Sequence, residues 1–408
     1  MKPYYQDDFV TLFHADCRDV IAGLPENSVD AIITDPPYEL GFMGKGWDKS
    51  GIAFETALWA DLLRVLKPGG HIAVFGAPRT WHRLAVAIED AGFQIRDSIA
   101  WIYGQGFPKS MDVSKAIDKH FKKERPVTRE AKQPYSEGET IEYDTRVSIQ
   151  RERRDTPVSP EARTWQGWGT QLKPAFEPVV VARKPLVGTV AKNVLTHGVG
   201  ALNIDATRIP GQWTTWQIQQ GKPLPGGTSS KDSVGWNNGY AGEQHPGGRH
   251  PSNLVLDESA AAALDSEVGT LKSGALKSHE NKHTEASSYK TGFKYVASEY
   301  EANEGGPSRF FPVFHYCAKA KKAERPRVDG LGHPTVKPLG LMQWLVRLLT
   351  PPGGTILDPF AGSGTTVEAA LLENKHVIAA EVQREYLPLI EERIHRSQPG
   401  LFSAGDAK

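Results

Sequence analysis

The chain has very little cysteine and no long apolar run. Cys17 and Cys317 are its two cysteines, too few for a disulfide scaffold or a cysteine-rich zinc site. No window approaches the roughly eighteen apolar residues of a membrane span, and the first ten residues carry Asp7 and Asp8 where a signal peptide would be apolar. We therefore expect a cytoplasmic protein without a metal site, a signal peptide or a membrane segment.

An excess of either charge is also missing. The 48 Lys and Arg residues balance the 48 Asp and Glu residues, so the formal net charge at pH 7 is zero. This balance excludes a protein that binds nucleic acid through a positive field over its whole surface, but it leaves a local basic cleft open. With 408 residues the chain is long enough for one large core with an appended region, or for two domains.

Patterns of strand and helix alternate at both ends of the chain. Strands are predicted over residues 9–14, 29–34, 71–75, 95–102, 178–182, 355–357 and 376–380. Helices are predicted over residues 54–66, 80–91, 339–349, 365–372 and 386–396. This alternation is typical of an α/β fold with a doubly wound, mostly parallel sheet.

The middle of the chain breaks this pattern. Residues 104–320 are polar and rich in turn-forming residues, apart from the strand expected near 178–182 and an aromatic strand candidate over 309–318. The economical arrangement is one sheet whose strands come from both ends of the chain. We therefore predict that residues 104–320 form an irregular insertion into that sheet.

A loop of small residues follows the predicted strand 355–357. It reads Asp358-Pro359-Phe360-Ala361-Gly362-Ser363-Gly364-Thr365-Thr366 and leads into a helix, so a ligand can approach its backbone closely. The third glycine of a dinucleotide fingerprint and the lysine of a phosphate-binding P-loop are both missing. Glu381, at the end of the next strand, stands where an acid commonly binds ribose hydroxyls. The pattern predicts a site for a nucleoside cofactor.

A second loop, Asp35-Pro36-Pro37-Tyr38, follows the predicted strand 29–34. Its two prolines stiffen the backbone and remove two N–H donors, so carbonyl groups can point inward beside the Asp35 carboxylate. A carboxylate and a carbonyl that accept the hydrogens of an exocyclic amine leave its lone pair available for attack on a methyl sulfonium. Tyr38 offers a ring face to an extruded base. The Pro-Cys loop that methylation of a ring carbon needs is not found, so the two loops predict methyl transfer to an amine.

In this order the motifs resemble the permuted, beta-class DNA amino methyltransferases that use S-adenosylmethionine. Residues 35–38 match the family's catalytic motif, residues 360–364 match its cofactor glycine motif, and His333-Pro334-Thr335-Val336-Lys337-Pro338 is similar to the segment that opens its permuted half. The resemblance implies a Rossmann-like, circularly permuted methyltransferase fold. It implies a catalytic half in residues 1–103, a target-recognition insertion in residues 104–320 and a cofactor-binding half in residues 321–408.

The resemblance also implies the site residues. The catalytic residues are Asp35, Pro36, Pro37 and Tyr38. The cofactor-binding residues are Asp16, Cys17, Asp35, His333, Thr335, Lys337, Asp358, Phe360, Ala361, Gly362, Ser363, Gly364, Thr365, Thr366 and Glu381. Contacts to DNA phosphates are expected from the basic residues Lys109, Arg309, Lys319, Lys321 and Lys322.

The expected activity is methylation of adenine N6 in duplex DNA after base flipping. Asp rather than Ser before Pro36 favours adenine in the family that the chain resembles. Cytosine N4 presents nearly the same hydrogen-bonding edge and is the alternative, ahead of RNA or a protein amide. Double-stranded DNA is the expected partner, and a restriction endonuclease and a second copy of the chain are further candidates.

Overall fold

Ten strands form one sheet in the larger of the molecule's two compact units. A computed structural model describes residues 1–40, 49–104, 110–127, 154–209, 248–273, 303–314, 325–328 and 330–397. The larger unit consists of residues 1–105 and 176–408, and the smaller unit of residues 106–175. Within residues 104–320, therefore, the segment after residue 175 is packed into the same unit as both ends of the chain.

The strands and helices have the following bounds. The strands are β1 Tyr5–Gln6, β2 Val10–His14, β3 Val29–Thr34, β4 Leu66–Phe75, β5 Gln94–Ile102, β6 Phe176–Arg183, β7 Leu254–Asp257, β8 Leu271–Ser273, β9 Asn303–Gly305, β10 Val313–Phe314, β11 Thr355–Asp358 and β12 His376–Glu381. The helices are α1 Cys17–Gly23, α2 Thr56–Val65, α3 Trp81–Asp90, α4 Val113–His120, α5 Pro160–Thr164, α6 Val190–His197, α7 Glu258–Val268, α8 Leu339–Leu349, α9 Thr365–Leu372 and α10 Leu387–Ser397.

The sheet is mostly parallel and joins strands from both ends of the chain. Its order is β1-β2-β12-β11-β3-β4-β6-β5-β7-β10. Strands β2, β12, β11, β3 and β4 are parallel neighbours, whereas β6 runs antiparallel to both β4 and β5. β3, from the first hundred residues, pairs directly with β11, from the last hundred. The prediction of one mostly parallel sheet with strands from both ends of the chain is therefore confirmed.

Helices cover both faces of the sheet, as a doubly wound fold requires. Successive residues of β3 point to opposite faces, so Ile33 packs in an apolar layer with residues of α8, α9 and α10. Ile32 packs in a second layer with residues of α1, α2 and α3. All six residues of β3 are buried, which is the pattern of a central parallel strand.

Three strands of the sheet come from the predicted insertion: β6 was expected there, β10 lies within the predicted strand 309–318, and β7 was not expected. The strands β7 and β10 extend the sheet beyond β5. The aromatic strand predicted over 309–318 is wrong in its first part, because Pro307–Phe310 forms a 3-10 helix and the strand is only Val313–Phe314. The remaining residues of that prediction, 315–318, lie outside the described residues.

Strand β4 begins earlier than the sequence predicts. Helix α2 ends at Val65 and β4 begins at Leu66, so the Lys-Pro-Gly-Gly segment lies within the strand. Gly69 has a φ of +81°, and a Cβ there would lie 2.3 Å from Nδ2 of Asn193. Glycine is therefore required by close packing against α6 as well as by the backbone conformation.

A buried carboxylate organises the smaller unit. Asp118 in α4 accepts hydrogen bonds from Nε of Arg125 at 2.6 Å and from the hydroxyl of Ser159 at 2.6 Å. Ser159 in turn caps α5, so one side chain connects the two helices of this unit. In the part of the chain that the structure describes, no helix is long and apolar enough to cross a membrane.

Candidate active site

Four acidic residues lie at or just beyond the carboxyl ends of four neighbouring parallel strands. Asp16 follows β2, Glu381 ends β12, Asp358 ends β11 and Asp35 follows β3. These strands are consecutive in the sheet, so their carboxyl ends share one edge. This edge is where open α/β sheets bind ligands. The structure therefore brings both predicted loops to a common edge, although they are far apart in the sequence.

Asp358 joins the two loops. Its Oδ1 accepts a hydrogen bond of 2.7 Å from the hydroxyl of Thr34, which immediately precedes Asp35. The same oxygen accepts the backbone N–H of Phe360 at 3.1 Å. Burial raises the pKa of Asp358 to about 6, against the effect of the hydrogen bonds that it accepts. Asp358 is thus a buried structural anchor for the loop 35–38, which the sequence analysis predicts to be catalytic and which we call the catalytic loop.

Gly362 and Glu381 connect the cofactor loop to the next strand. The backbone N–H of Gly362 donates to Oε2 of Glu381 at 2.8 Å, and the N–H of Gln383 donates to Oε1 at 2.7 Å. Burial raises the pKa of Glu381 to about 7, although both backbone hydrogen bonds favour the ionised form. One oxygen of this carboxylate therefore holds the loop close to the end of β12, while the other binds the backbone that follows the strand.

The two glycines of the loop are required for different reasons. Gly362 has a φ of +53°, and a Cβ there would lie 3.4 Å from the His333 ring. Gly364 has a φ of +79°, and a Cβ there would lie 3.0 to 3.2 Å from Ile390 in α10. Gly364 is thus constrained by close packing against Ile390 as well as by its positive φ, whereas at Gly362 the positive φ is the main constraint and a Cβ would meet His333 at ordinary contact distance.

The other residues of the cofactor loop are largely buried. Ser363, Thr365 and Thr366 are each less than a tenth exposed, and the N–H of Ala361 donates to the carbonyl of Ala380 at 2.9 Å. Phe360 is partly buried and packs against the apolar layer of α1, α2 and α3. Backbone hydrogen bonds and packing therefore add to the carboxylates of Asp358 and Glu381 in holding this loop in shape.

The segment 333–337 spans the distance between the cofactor loop and the catalytic loop. His333 stacks edge-to-face on Tyr386 at 4.4 Å between ring centroids, and its Nδ1 hydrogen-bonds the carbonyl of Thr335. Burial lowers the pKa of His333. Four positions further on, Nζ of Lys337 lies 2.5 Å from Oδ2 of Asp35. The segment therefore lies beside Gly362 at one end and contacts Asp35 at the other.

Asp35 presents one oxygen that is not hydrogen-bonded. Oδ2 binds Lys337, whereas Oδ1 is buried and has no hydrogen-bond partner among the described residues. Pro36 and Pro37 carry no N–H that could donate to it. Pro37 and Tyr38 also line a small apolar cavity with Phe75. A buried acceptor without a donor is costly, so this oxygen has the chemistry of a binding site for a hydrogen-bond donor.

Glu177 is a member of the site that the sequence analysis did not assign. The hydroxyl of Tyr38 donates to Oε2 of Glu177 at 2.8 Å, and Lys337 lies 3.4 Å from the same oxygen. Glu177 is near the start of β6, which is antiparallel to β4, so the amino end of β6 lies beside the carboxyl ends of the parallel strands. The signal in the sequence was an acid at the start of an otherwise apolar strand, next to the predicted strand 178–182.

Burial and charge set the protonation of this cluster. Burial, followed by the negative charges of Asp35 and Glu177, raises the pKa of Tyr38 well above its ordinary value. Burial alone would lower the pKa of Lys337, but the two carboxylates overcome that effect and the pKa is raised. The phenol therefore stays protonated and the lysine stays charged near neutral pH.

Asp16 and Cys17 lie at the start of α1. Asp16 caps the helix by accepting the N–H of Arg18 at 2.9 Å and is partly exposed. Cys17 is buried, and burial together with the charge of Asp16 raises the pKa of its thiol to about 12. The thiol is therefore protonated at neutral pH and is no candidate for a covalent nucleophile.

One of the five basic residues expected to contact DNA is among the described residues. Arg309 donates to the carbonyls of Gly305, Gly306 and Leu271, and its guanidinium lies 4.7 Å from the centroid of the Phe310 ring. These contacts hold the guanidinium against β8 and β9. The other four residues lie outside the described residues: Lys109, Lys319, Lys321 and Lys322.

The sequence is similar to those of known DNA methylases. Residues 29–392 match the model of a family described as DNA methylase. The type II methyltransferase M.HindIII of Haemophilus influenzae is 23% identical over 414 aligned residues, which cover 91% of this chain and 90% of that protein. The type II methyltransferase M2.MboI of Moraxella bovis is 44% identical over 69 residues, or 17% of this chain and 25% of that protein.

Solved structures with a similar chain course include two methyltransferases. The M1.HpyAVI–SAM complex is 16% identical with a TM-score of 0.41, and the match covers 94% of this chain and 98% of that chain. The PvuII DNA methyltransferase, described as cytosine-N4-specific, is 14% identical with a TM-score of 0.43, and the match covers 96% and 88% of the two chains.

Proposed function

We propose that this chain, which belongs to the N6-adenine/N4-cytosine family of S-adenosylmethionine-dependent DNA methyltransferases, methylates N6 of adenine in duplex DNA. The observation that carries the proposal is the state of Asp35. One of its oxygens is held by Lys337, and the other is buried without a partner among the described residues. That oxygen is suited to accept a hydrogen from an exocyclic amine.

The residues of the cofactor loop fit S-adenosylmethionine. Gly362 leaves space that a Cβ would fill against His333, and Glu381 is a carboxylate at the end of β12 where ribose hydroxyls bind in related folds. We assign cofactor binding to the residues predicted for it, with Gly362 and Glu381 as the main contacts to the nucleoside. When bound, the cofactor supplies an electrophilic methyl group on a sulfonium.

The chain's own residues prepare the amine. Asp35 accepts one amine hydrogen through Oδ1, which reduces delocalisation of the nitrogen lone pair into the ring and directs that lone pair outward. A carbonyl of the Pro36-Pro37 segment accepts the second hydrogen, and neither proline offers an N–H that would compete with the base. Tyr38, held by Glu177 and by Thr80, provides a ring against which the flipped base packs.

The choice of adenine rests on the residue before the two prolines. Asp35 stands where Ser would favour cytosine in the family that the chain resembles. Cytosine N4 is the alternative, because its amine and neighbouring ring nitrogen form nearly the same edge. Duplex DNA is the proposed partner, with Lys109, Arg309, Lys319, Lys321 and Lys322 as proposed phosphate contacts; an endonuclease partner and a homodimer stay predictions.

Nucleoside analysis tests this proposal. Duplex DNA is incubated with the protein and a methyl-labelled cofactor, digested to nucleosides and analysed by mass spectrometry. We expect label in N6-methyladenine. Label only in N4-methylcytosine would reject the base assignment, and label in RNA or protein but not in duplex DNA would reject the substrate class. Protein heated beyond its unfolding transition serves as the blank.

A further inference from the structure

A single ammonium group, that of Lys337, lies near two carboxylates where Asp35 is proposed to bind the target amine. We call this place the amine site. Nζ of Lys337 is 2.5 Å from Oδ2 of Asp35, 3.0 Å from the hydroxyl of Tyr38 and 3.4 Å from Oε2 of Glu177. Three oxygen atoms therefore surround a group that has three N–H donors. All of the charged members are mostly buried, with side-chain exposures of 11% for Lys337, 27% for Asp35 and 17% for Glu177.

The charges of this cluster do not cancel. Two carboxylates and one ammonium sum to a net charge of −1, in a site where partial burial strengthens electrostatic interactions. An amine that attacks a methyl sulfonium gains positive charge as the bond forms. A site with one uncompensated negative charge stabilises that developing charge, whereas a neutral pair would do so much less.

Glu177 is the residue that prevents neutralisation. If Lys337 had Asp35 as its sole counter-charge, the two would form a neutral pair and the carboxylate would attract the reacting amine less strongly. Oε2 of Glu177 lies 3.4 Å from the same ammonium and gives it a second counter-charge. Its carboxylate also accepts the hydroxyl of Tyr38, so one side chain positions both the lysine and the aromatic ring next to Asp35.

We propose that Glu177 is a positioning residue for methyl transfer: it shares Lys337 with Asp35 and so keeps the amine site negatively charged. This proposal rests on the proposed function of Asp35 as the acceptor for the target amine. Glu177 acts through Lys337 and Tyr38 and need not touch the substrate. Its effect therefore falls on kcat, measured at saturating cofactor and DNA, more than on the affinity for either ligand.

Glu177→Gln separates charge from shape. The Gln side chain keeps the length of Glu, and its amide oxygen can still accept the Tyr38 hydroxyl, but the negative charge is lost. We expect kcat to fall at least about tenfold, with cofactor affinity within about threefold of wild type. Glu177→Asp, which keeps the charge on a shorter side chain, should lose less activity than Glu177→Gln.

A double variant tests whether Glu177 acts through Lys337. In Glu177→Gln, Lys337 neutralises Asp35, so removing the lysine charge in the same chain should raise kcat again. We expect Glu177→Gln/Lys337→Met to be at least about threefold faster than Glu177→Gln when both are saturated with cofactor, which is the non-additivity of coupled residues. All variants are compared by circular dichroism and by calorimetric cofactor binding.

Three outcomes of these measurements would overturn the proposed role of Glu177. A Glu177→Gln protein with wild-type kcat overturns the proposal, as does a loss of kcat that Lys337→Met does not relieve, because the role of Glu177 would then be independent of the lysine. A Glu177→Gln chain that does not fold would also overturn it, by showing a structural role. The failure of the proposed function is distinct, because the wild-type protein would then transfer no methyl group to DNA amines.

Discussion

Thr34 and Asp358 are joined by a buried hydrogen bond of 2.7 Å, although 324 positions separate them in the sequence. Thr34 ends β3 and Asp358 ends β11, and these strands are parallel neighbours in the sheet. The catalytic loop begins one residue after Thr34, and the cofactor loop begins one residue after Asp358. This bond therefore fixes the starting points of both loops relative to each other, which is the condition for one pocket to hold a methyl donor and an amine.

Thr34→Val should weaken this connection without changing the volume of the side chain. The hydroxyl donor is lost and Asp358 stays buried, so we expect the free energy of unfolding to fall by about 1 to 3 kcal/mol, with slower methyl transfer. Thr350→Val is the matched control. The Thr350 hydroxyl is also buried but has no hydrogen-bond partner among the described residues, so the change there should be neutral or stabilising. Urea unfolding of both variants checks this; equal losses would contradict it.

The two loop glycines should respond differently to alanine. Gly364→Ala places a methyl group 3.0 Å from Ile390, so we expect a loss of stability beyond the roughly 1 to 2 kcal/mol of left-handed backbone strain. In Gly362→Ala the new methyl group lies 3.4 Å from His333 instead. We expect this substitution to lower cofactor affinity more than it lowers stability.

Gly198→Ala isolates the backbone contribution in this comparison. Gly198 has a φ of +73°, and no atom lies within 4 Å of the position that a Cβ would take there. Gly198→Ala should therefore lower the stability of the protein through backbone strain alone. Denaturant unfolding and cofactor calorimetry are measured for all three variants. If Gly364→Ala is no less stable than Gly198→Ala, the packing argument for Gly364 is wrong.

Cofactor affinity should increase with pH around neutrality. The pKa of Glu381 is raised to about 7 by burial, and the ionised form is the one that accepts ribose hydroxyls. At pH 6 about a tenth of this carboxyl is ionised, so we expect the cofactor to bind about tenfold more weakly than at pH 8, with a plateau above. Calorimetric titration between pH 5.5 and 8.5 measures the dependence. Glu381→Gln should bind weakly and with a flatter pH profile; an unchanged slope in that variant would assign the titration to another group.

Arg393, a buried arginine in α10, should contribute more to the free energy of unfolding than its neighbour Arg396. Arg393 is fully buried and pairs with Glu368, which also binds Arg396 at 2.6 Å. Arg393→Met leaves Glu368 buried with less compensation, so we expect a loss of about 3 to 5 kcal/mol. Arg396→Met removes a partly exposed partner and should cost about 1 kcal/mol or less. Thermal unfolding measures both losses. A larger loss of stability in Arg396→Met than in Arg393→Met would contradict this prediction.

The parts of the fold that sequence patterns predicted well are the ones with two buried faces or a long helical period. The predicted bounds of β3, α8 and α9 agree with the structure, because continuous apolar residues or a strong 3.6-residue period leave few alternatives. The short strand β7 was not predicted, and β10 covers only two residues of the strand predicted over 309–318. They contain four and two residues, and their place in the sheet depends on pairing with β5 and with each other rather than on a local pattern.

Sequence patterns singled out several of the acids at this edge of the sheet, but not the contacts that these acids make in the structure. Asp35, Asp358 and Glu381 were recognisable because each follows or ends a strand next to a distinctive loop. Lys337 was predicted to bind the cofactor, and its ammonium group contacts Asp35 in the structure. Glu177 could not be assigned, because its place in the site depends on β6 running antiparallel to β4, and strand direction leaves no mark in the local sequence.

Asp35→Ala tests most directly whether the two loops form a single catalytic pocket. Methyl transfer to duplex DNA and calorimetric cofactor binding are measured on the same preparation of wild-type and variant protein. We expect cofactor affinity to stay within about threefold of wild type, while transfer falls by roughly a hundredfold to a thousandfold or more. Transfer at the wild-type rate would contradict it, and so would a collapse of cofactor affinity that accounts for the whole loss.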